Sequence, residues 1–280
     1  MKKEDHVGSV AYLGPEATFS HQAAVALYGE SASFYAGETI EDVFSLVEDG
    51  VCEQGVVPVE NSYEGSINIT MDLLYRYDIG ICGEFFMRIR HYLLAAAEQP
   101  GGIKRLYSHP MAITQCRSWL NDNMRDVPVT EAASTSLAAK MAADDPEAVA
   151  IGSRLSGERY GLKTLYESIE DDPYNITRFL VIGKDRVEPT GKDKTSILFS
   201  LLHKPGTLYR CLGVLANREI NVTRIESRPM RRKSWEYLFF MDIEGHEKDP
   251  VLKEALMEME GHCVFLKRLG SYPAGGDPWD

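Results

Sequence analysis

Short apolar runs that each end in a small polar turn and reopen as a helix recur along the first two thirds of the chain. Ser9-Val10-Ala11-Tyr12-Leu13 reads as a buried strand, Gly14-Pro15 breaks it, and Thr18-Phe19-Ser20 opens a helix through Ala23, Ala24 and Leu27. Residues 55–59 form a second apolar run, followed by the turn 60–66 and a helix carrying Ile69, Leu73 and Leu74. The run 103–107 leads through Ser108-His109-Pro110 into a helix, and 127–129 leads through Ser134-Thr135-Ser136 into an Ala-rich helix ending near Ala143. Residues 148–151 lead into Gly152-Ser153. This alternation predicts α/β units, whose ligand sites lie beyond the carboxyl ends of the strands. In any one turn a Ser or Thr is an ordinary N-cap; the same arrangement in every unit points to an anion-binding cleft. The segment 171–174 then returns the chain to a last strand, giving two lobes, 8–80 plus 165–184 and 81–164, with two crossings between them.

Beyond this region, residues 185–194 are poor in apolar side chains, contain Pro189 and Gly191, and read as a linker. From 195 to 271 the pattern changes. A strand over 196–202, a turn at Lys204-Pro205-Gly206, a helix carrying Leu208, Cys211, Leu212 and Leu215, and strands over 220–225 and 234–243 come first. A helix over 250–259 and a strand over 263–269 complete a βαββαβ, ferredoxin-like order. So small a domain has an open sheet face or edge that a second copy would cover. The Pro- and Gly-rich tail, 272–280, reads as loose.

Composition narrows the function. With 44% hydrophobic and 26% charged residues the chain is an ordinary globular one, and its net charge of −12 argues against nucleic acid and anionic membranes as partners. A few local Arg still suffice for small anions. The five cysteines are dispersed without a Cys-x-x-Cys pair, as expected of reduced cytoplasmic thiols, and the charged start is not a signal peptide. No His-Glu-x-x-His, Cys/His cluster or dinucleotide Gly fingerprint occurs, so neither metal nor organic cofactor is expected.

Chemistry concentrates in Asn175-Ile176-Thr177-Arg178-Phe179, where polar residues run into the apolar stretch 180–183 at the mouth of a strand. A hydroxyl beside a guanidinium can donate hydrogen bonds and fix a carboxylate. Successive strand residues face opposite sides, so Thr177 and Arg178 share a pocket only if the strand is irregular there. Arg178 therefore has two readings, a carboxylate ligand or a structural partner of Glu60 or another acid. His109 and Glu60 are likewise open between direct and scaffold roles.

Taken in order, Tyr12-Leu13-Gly14-Pro15, Thr18-Phe19-Ser20, Pro58-Val59-Glu60-Asn61-Ser62, Gly65-Ser66, Ser108-His109-Pro110, Gln115-Cys116, Ser134-Thr135, Asn175-x-Thr177-Arg178-Phe179 and Glu226-Ser227-Arg228-Pro229 resemble the prephenate dehydratases that carry a C-terminal ACT domain. The resemblance runs from about Val10 to Leu269. It implies a two-lobed, periplasmic-binding-protein-like catalytic domain (8–184) followed by the ACT domain. It also implies conversion of prephenate to phenylpyruvate, water and carbon dioxide without a cofactor, in phenylalanine biosynthesis. Thr177 is then the hydrogen-bond donor to the departing hydroxyl, with Arg178 beside it. Thr18, Ser20, Glu60, Asn61, Ser62, Gly65, Ser108, Gln115, Ser134, Thr135 and Phe179 surround the substrate. In the ACT domain, Gly206, Thr207, Leu208, Asn221, Glu226, Ser227, Arg228 and Pro229 would receive L-phenylalanine as allosteric effector, in a homodimer or homotetramer. Two departures are visible: Ala17 stands where the family has glycine, and Gly206-Thr207-Leu208-Tyr209 where it has Gly-Ala-Leu-Ala. The alternatives are an arogenate dehydratase, whose substrate has an amine in place of the ketone, and a non-catalytic anion or amino-acid receptor.

Overall fold

The structure, a computed structural model, describes residues 8–97, 102–229 and 237–276. The charged start, positions 234–236 of the strand expected over 234–243, and positions 277–280 of the tail lie outside the described residues.

The first lobe is a mixed sheet running Ser33–Gly37, Ser9–Leu13, Gln54–Asn61, Ile176–Gly183, Gly80–Arg88 from edge to edge, with Gly65–Ser66 paired on Gln54–Asn61. Its parallel part is wound by the helices Phe19–Tyr28, Ile40–Glu48 and Asn68–Arg76. Ser9–Leu13 and Gln54–Asn61 are central because their apolar runs are buried on both faces. The second lobe orders its strands Lys163–Tyr166, Tyr92–Ala95, Ala148–Gly152, Arg105–Ser108, Val129–Glu131 and has its own core around Leu93, Leu106, Val149 and Ile151. Two α/β lobes linked by two crossings are the arrangement the sequence predicts, with both boundaries corrected: Lys163–Tyr166 belongs to the second lobe's sheet, so the return comes after 166 and not at 165. Gly80–Arg88 pairs antiparallel with Ile176–Gly183 and belongs to the first lobe, so the outward crossing lies at 89–91 and not at 80–81. The crossings are tied to each other, since Ile89 N–H donates to Asn175 O and Ile169 N–H to His91 O.

An irregularity in register shapes the centre of the first lobe. Arg178 faces Glu60 and Phe179 faces Pro58, so Val59 is an extra residue on its strand. Pro58 and Asn61, three apart, would point to opposite faces of a regular strand; the bulge lets both face the cleft.

The third unit orders its strands Val222–Pro229, Tyr237–Glu244, Asp193–Ser200, Phe265–Pro273, with helices Thr207–Ala216 and Pro250–His262 on one face, as βαββαβ connectivity requires. Its other face is not open. Leu198, Phe240, Leu269 and Tyr272 join Leu73, Leu74, Ile79 and Ile81 in one continuous core with the first lobe. Backbones touch here: a Cβ at Gly270, where φ is +147°, would overlap the Ile81 carbonyl. Two expectations change as a result. The strand begins at Asp193, inside the presumed linker, and the tail is not loose at its start, because Tyr272 is fully buried.

Candidate active site

A cleft of about 430 Å³ opens between the lobes, and helix N-termini from both sides point into it. The first lobe contributes Phe19–Tyr28, capped by Thr18, whose Oγ1 accepts the His21 N–H; the second contributes Thr135–Ala143, capped by Ser134, whose Oγ accepts the Leu137 N–H. First-turn N–H groups left without intrahelical partners, together with the helix dipole, favour an anion at each end. Ser20 and Thr135 line the cleft in those first turns. The facing ends thus suit a ligand with two carboxylates, one toward each lobe.

Between them sits Thr177. Asn61 Oδ1 accepts the N–H groups of Tyr63 and Glu64, at 2.9 and 3.1 Å, which fixes the orientation of its amide. Its Nδ2 must then donate, to Asn175 Oδ1 at 2.8 Å and to Thr177 Oγ1 at 2.9 Å. With that lone pair of Oγ1 occupied, the Thr177 hydroxyl is oriented as a donor and its own hydrogen is left for a ligand. The wall beside it is apolar, made by Phe179, Pro58 and Ile89.

A polar chain crosses the cleft. Gln115 of the second lobe donates through Nε2 to Glu64 Oε1 of the first (3.4 Å), so its Oε1 accepts from His91 Nε2 (2.8 Å). His91 therefore carries its proton on Nε2, and its buried Nδ1 has no partner. Burial pulls its pKa below the usual value, with Gln115 and Glu170 opposing, so the ring is neutral at pH 7. Burial pushes the Glu64 carboxyl up, with His109 opposing. His109 also lines the cleft; its Nδ1 accepts the Met111 N–H, which makes it an N-cap with its hydrogen on Nε2 when neutral.

Of the residues expected around the substrate, Thr177, Thr18, Ser20, Asn61, Gln115, Ser134, Thr135 and Phe179 line this cleft. Thr18 lines it as a cap, because its hydroxyl donates to Leu13 O. The others are placed differently. Arg178 lies on the opposite face of a regular strand, where Glu84 and Asp242 hold its guanidinium at 2.7 and 2.5 Å, so its reading as a carboxylate ligand gives way to the structural one. Glu60 turns outward to Arg224 at 3.0 Å. Ser62 accepts the Ile176 N–H and donates to Tyr174 O, stapling the turn to the strand mouth. Gly65 supplies a φ of +81° at the turn, and Ser108 is fully buried at the end of its strand, its hydroxyl donating to His109 O. Glu38, Glu64, His91 and Met111 line the cleft without having been singled out from the sequence. Glu64 sat inside a quoted turn; His91, alone between two strands, carried no motif.

Ala17 explains why a glycine is expected at its position: its φ is +64°, a left-handed conformation that costs an L-residue about 1 kcal/mol or more. It is held there by hydrogen bonds, its N–H donating to His21 Nδ1 and its carbonyl accepting from Ser153 of the second lobe. Ser136, also of the second lobe, donates to Glu16 O, so this loop joins the lobes on one side of the cleft.

In the ACT-like unit, Gly206 (φ +79°), Thr207 and Leu208 start a helix, and the last two border a depression of only about 70 Å³, below the size of a ligand site. Thr207 donates to Leu202 O or Lys204 O, and Asn221 to Glu244. Glu226 and Arg228 leave this region altogether. They reach the first lobe, Glu226 at Ser66 and Arg228 at Asp72, while Ser227 and Pro229 alternate to the other side. The eight residues expected at the effector site therefore do not form one pocket within a single chain.

Residues 10–187 match the prephenate dehydratase family model and residues 195–261 the ACT domain model. The chain belongs to the prephenate dehydratase family. It is 47% identical over 264 residues to the bifunctional chorismate mutase/prephenate dehydratase of Aquifex aeolicus, covering 94% of this chain and 73% of that one. To the prephenate dehydratase of Methanocaldococcus jannaschii it is 40% identical, covering 95% and 98%. The crystal structure of prephenate dehydratase in complex with L-Phe from Arthrobacter aurescens superposes with a TM-score of 0.86 at 30% identity, covering 95% and 90%.

The buried histidines make stability pH-dependent. His21, stacked on Tyr12 and accepting from Ala17, is also pulled down by burial, with Glu16 opposing. A folded-state pKa below the unfolded value of about 6.5 means that the stabilisation is complete above that pH and is lost as pH falls toward the folded value, by up to about 1.4 kcal/mol per pH unit per histidine. Urea midpoints are expected to drop between pH 7.5 and 5.5, and to drop less steeply in His91→Gln. An unchanged slope in that variant would assign the effect to other groups.

Proposed function

We propose that the chain is a prephenate dehydratase that uses Thr177 to assist loss of the ring hydroxyl. The observation that carries this reading is the Asn61 to Thr177 hydrogen bond, which leaves the threonine hydroxyl as a donor beside two opposed helix N-termini. The two carboxylates of prephenate are received there. The electrons of the breaking C–CO2 bond move into the ring and expel the hydroxyl, which leaves as water once it has gained a proton. The gain of aromaticity drives both losses. The Thr177 hydrogen bond strengthens as negative charge builds on the departing oxygen, and the apolar wall keeps that interaction strong. No nucleophile is needed.

Phenylalanine, the product of the route, is the proposed effector of the ACT domain. Because the depression beside Thr207 is shallow and Tyr209 next to it is 80% exposed, we place the effector between two copies of the domain, in a dimer or tetramer. All five cysteines are free thiols, which agrees with a cytoplasmic enzyme. Arogenate is the second reading for the substrate, since Glu38 and Glu64 in the cleft are carboxylates that an ammonium group would meet.

The test is turnover of both substrates by the purified chain, with and without phenylalanine. Prephenate is expected to give phenylpyruvate with a kcat/KM at least about tenfold above that for arogenate. Phenylalanine is expected to inhibit and to weaken substrate binding by the factor by which substrate weakens its own. A preference for arogenate would transfer the assignment to the second reading, and absence of any phenylalanine binding would remove the effector.

A further inference from the structure

The turn that aims Thr177 is gripped from outside by the ACT domain. Glu60 and Ser66 pair across the base of this turn, and Asn61 lies just inside it. One guanidinium holds both flanks: Arg224 Nε meets Glu60 Oε2 at 3.0 Å and Nη2 donates to Ser66 Oγ at 2.7 Å. Glu226, two residues along the same strand, receives the Ser66 hydroxyl at 3.0 Å. Arg224 is largely buried, its guanidinium 5.0 Å from the centre of the Phe240 ring, so the fork has little freedom to swing. The bulge at Val59 adds a reason for such a grip. It breaks the ladder just before Glu60, so that only the ladder pairs Glu60–Arg178 and Asn61–Thr177 hold the base of the turn to the central strand.

We propose that Arg224 is a positioning residue for the dehydration, holding from the ACT domain the turn 60–66 whose Asn61 orients the Thr177 hydroxyl. The proposal rests on Thr177 as the donor to the departing oxygen. It makes the ACT strand Val222–Pro229 a supporting wall of the active site. It also gives a route by which a shift of that strand reaches the reacting group through two side-chain contacts.

The test uses the full chain with Arg224→Met, Arg224→Lys, Glu60→Gln and the double variant Arg224→Met/Glu60→Gln. Loosening the turn is expected to lower kcat by about tenfold or more in Arg224→Met, with KM for prephenate within about threefold, because orientation and not binding is lost. Glu60→Gln, which cuts the ion pair and leaves the Arg224 to Ser66 bond, should lose less, and the double variant should be no worse than Arg224→Met. Lys, which restores the charge but not the fork, should fall between. Amide exchange gives a readout independent of turnover: the Tyr63 and Glu64 N–H groups, bonded to Asn61 Oδ1, should exchange faster in Arg224→Met, with the strand amides of Val56 and Val57 unchanged. Faster exchange in a chain that does not consume prephenate would uphold the grip and remove the assigned reaction. An active parent whose kcat and turn exchange are both indifferent to Arg224, or losses that multiply in the double variant, would overturn the proposal.

Discussion

Replacing Thr177 by valine is expected to lower kcat by about 10²–10⁴ at almost constant side-chain volume, with KM changed little. Valine removes the only atom that Asn61 has prepared for donation, and it also leaves Asn61 Nδ2 with one acceptor fewer in a buried setting. Serine should retain much of the rate, because its hydroxyl can take the same bond from Nδ2 and present the same hydrogen. Steady-state kinetics on both variants check this. A valine enzyme within about threefold of the parent would remove Thr177 from its role.

The second large effect is on stability. Arg178 is 5% exposed and bonded to Glu84, Asp242 and the Tyr272 hydroxyl, with Lys194 on the other oxygen of Glu84 and Ser196 on the other oxygen of Asp242. Burial opposes its charge, but Asp242, Tyr272 and Glu84 outweigh that and hold its pKa above the ordinary value. Arg178→Met would strand buried carboxylates and is expected to cost about 3–5 kcal/mol in denaturant unfolding. Lysine cannot reach three partners and should recover only part. KM for prephenate should stay within about threefold of the parent in whichever variant remains folded. A KM raised by about a hundredfold at unchanged stability would instead return Arg178 to the substrate.

How much of this was readable in advance depended on what each residue faces. Strands buried on both sides, such as Ser9–Leu13 and Ala148–Gly152, announce themselves as apolar runs. Ser33–Gly37 is an edge strand, mostly exposed, and left no such trace. Gly80–Arg88 hides its period behind Gly83 and a buried Glu84 whose cations lie some 94 and 110 positions further on, which is why the lobe boundary fell too early. For the site, hydroxyls at helix starts were legible because capping chemistry is local. Alternation put Thr177 and Arg178 on opposite faces; the strand Val222–Pro229 runs past the expected 220–225, so the shared face of Arg224, Glu226 and Arg228 was not read. What covers those faces is set by docking between domains, and no local pattern encodes it.

The continuous core between the first lobe and the ACT sheet bears on how the enzyme can move. With Leu198, Phe240, Leu269 and Tyr272 interleaved among Leu73, Leu74, Ile79 and Ile81, those two parts form one stiff chassis, and the second lobe is the lighter body hung from it at 89–91 and 169–175. A swing of the second lobe would have to part the hydrogen bonds of Ser136 and Ser153 to the loop at Glu16 and Ala17. An effector seated in the ACT domain would reach the cleft through the first lobe, on which that domain is packed. Through the proposed Arg224 grip it would act on the turn that orients Thr177.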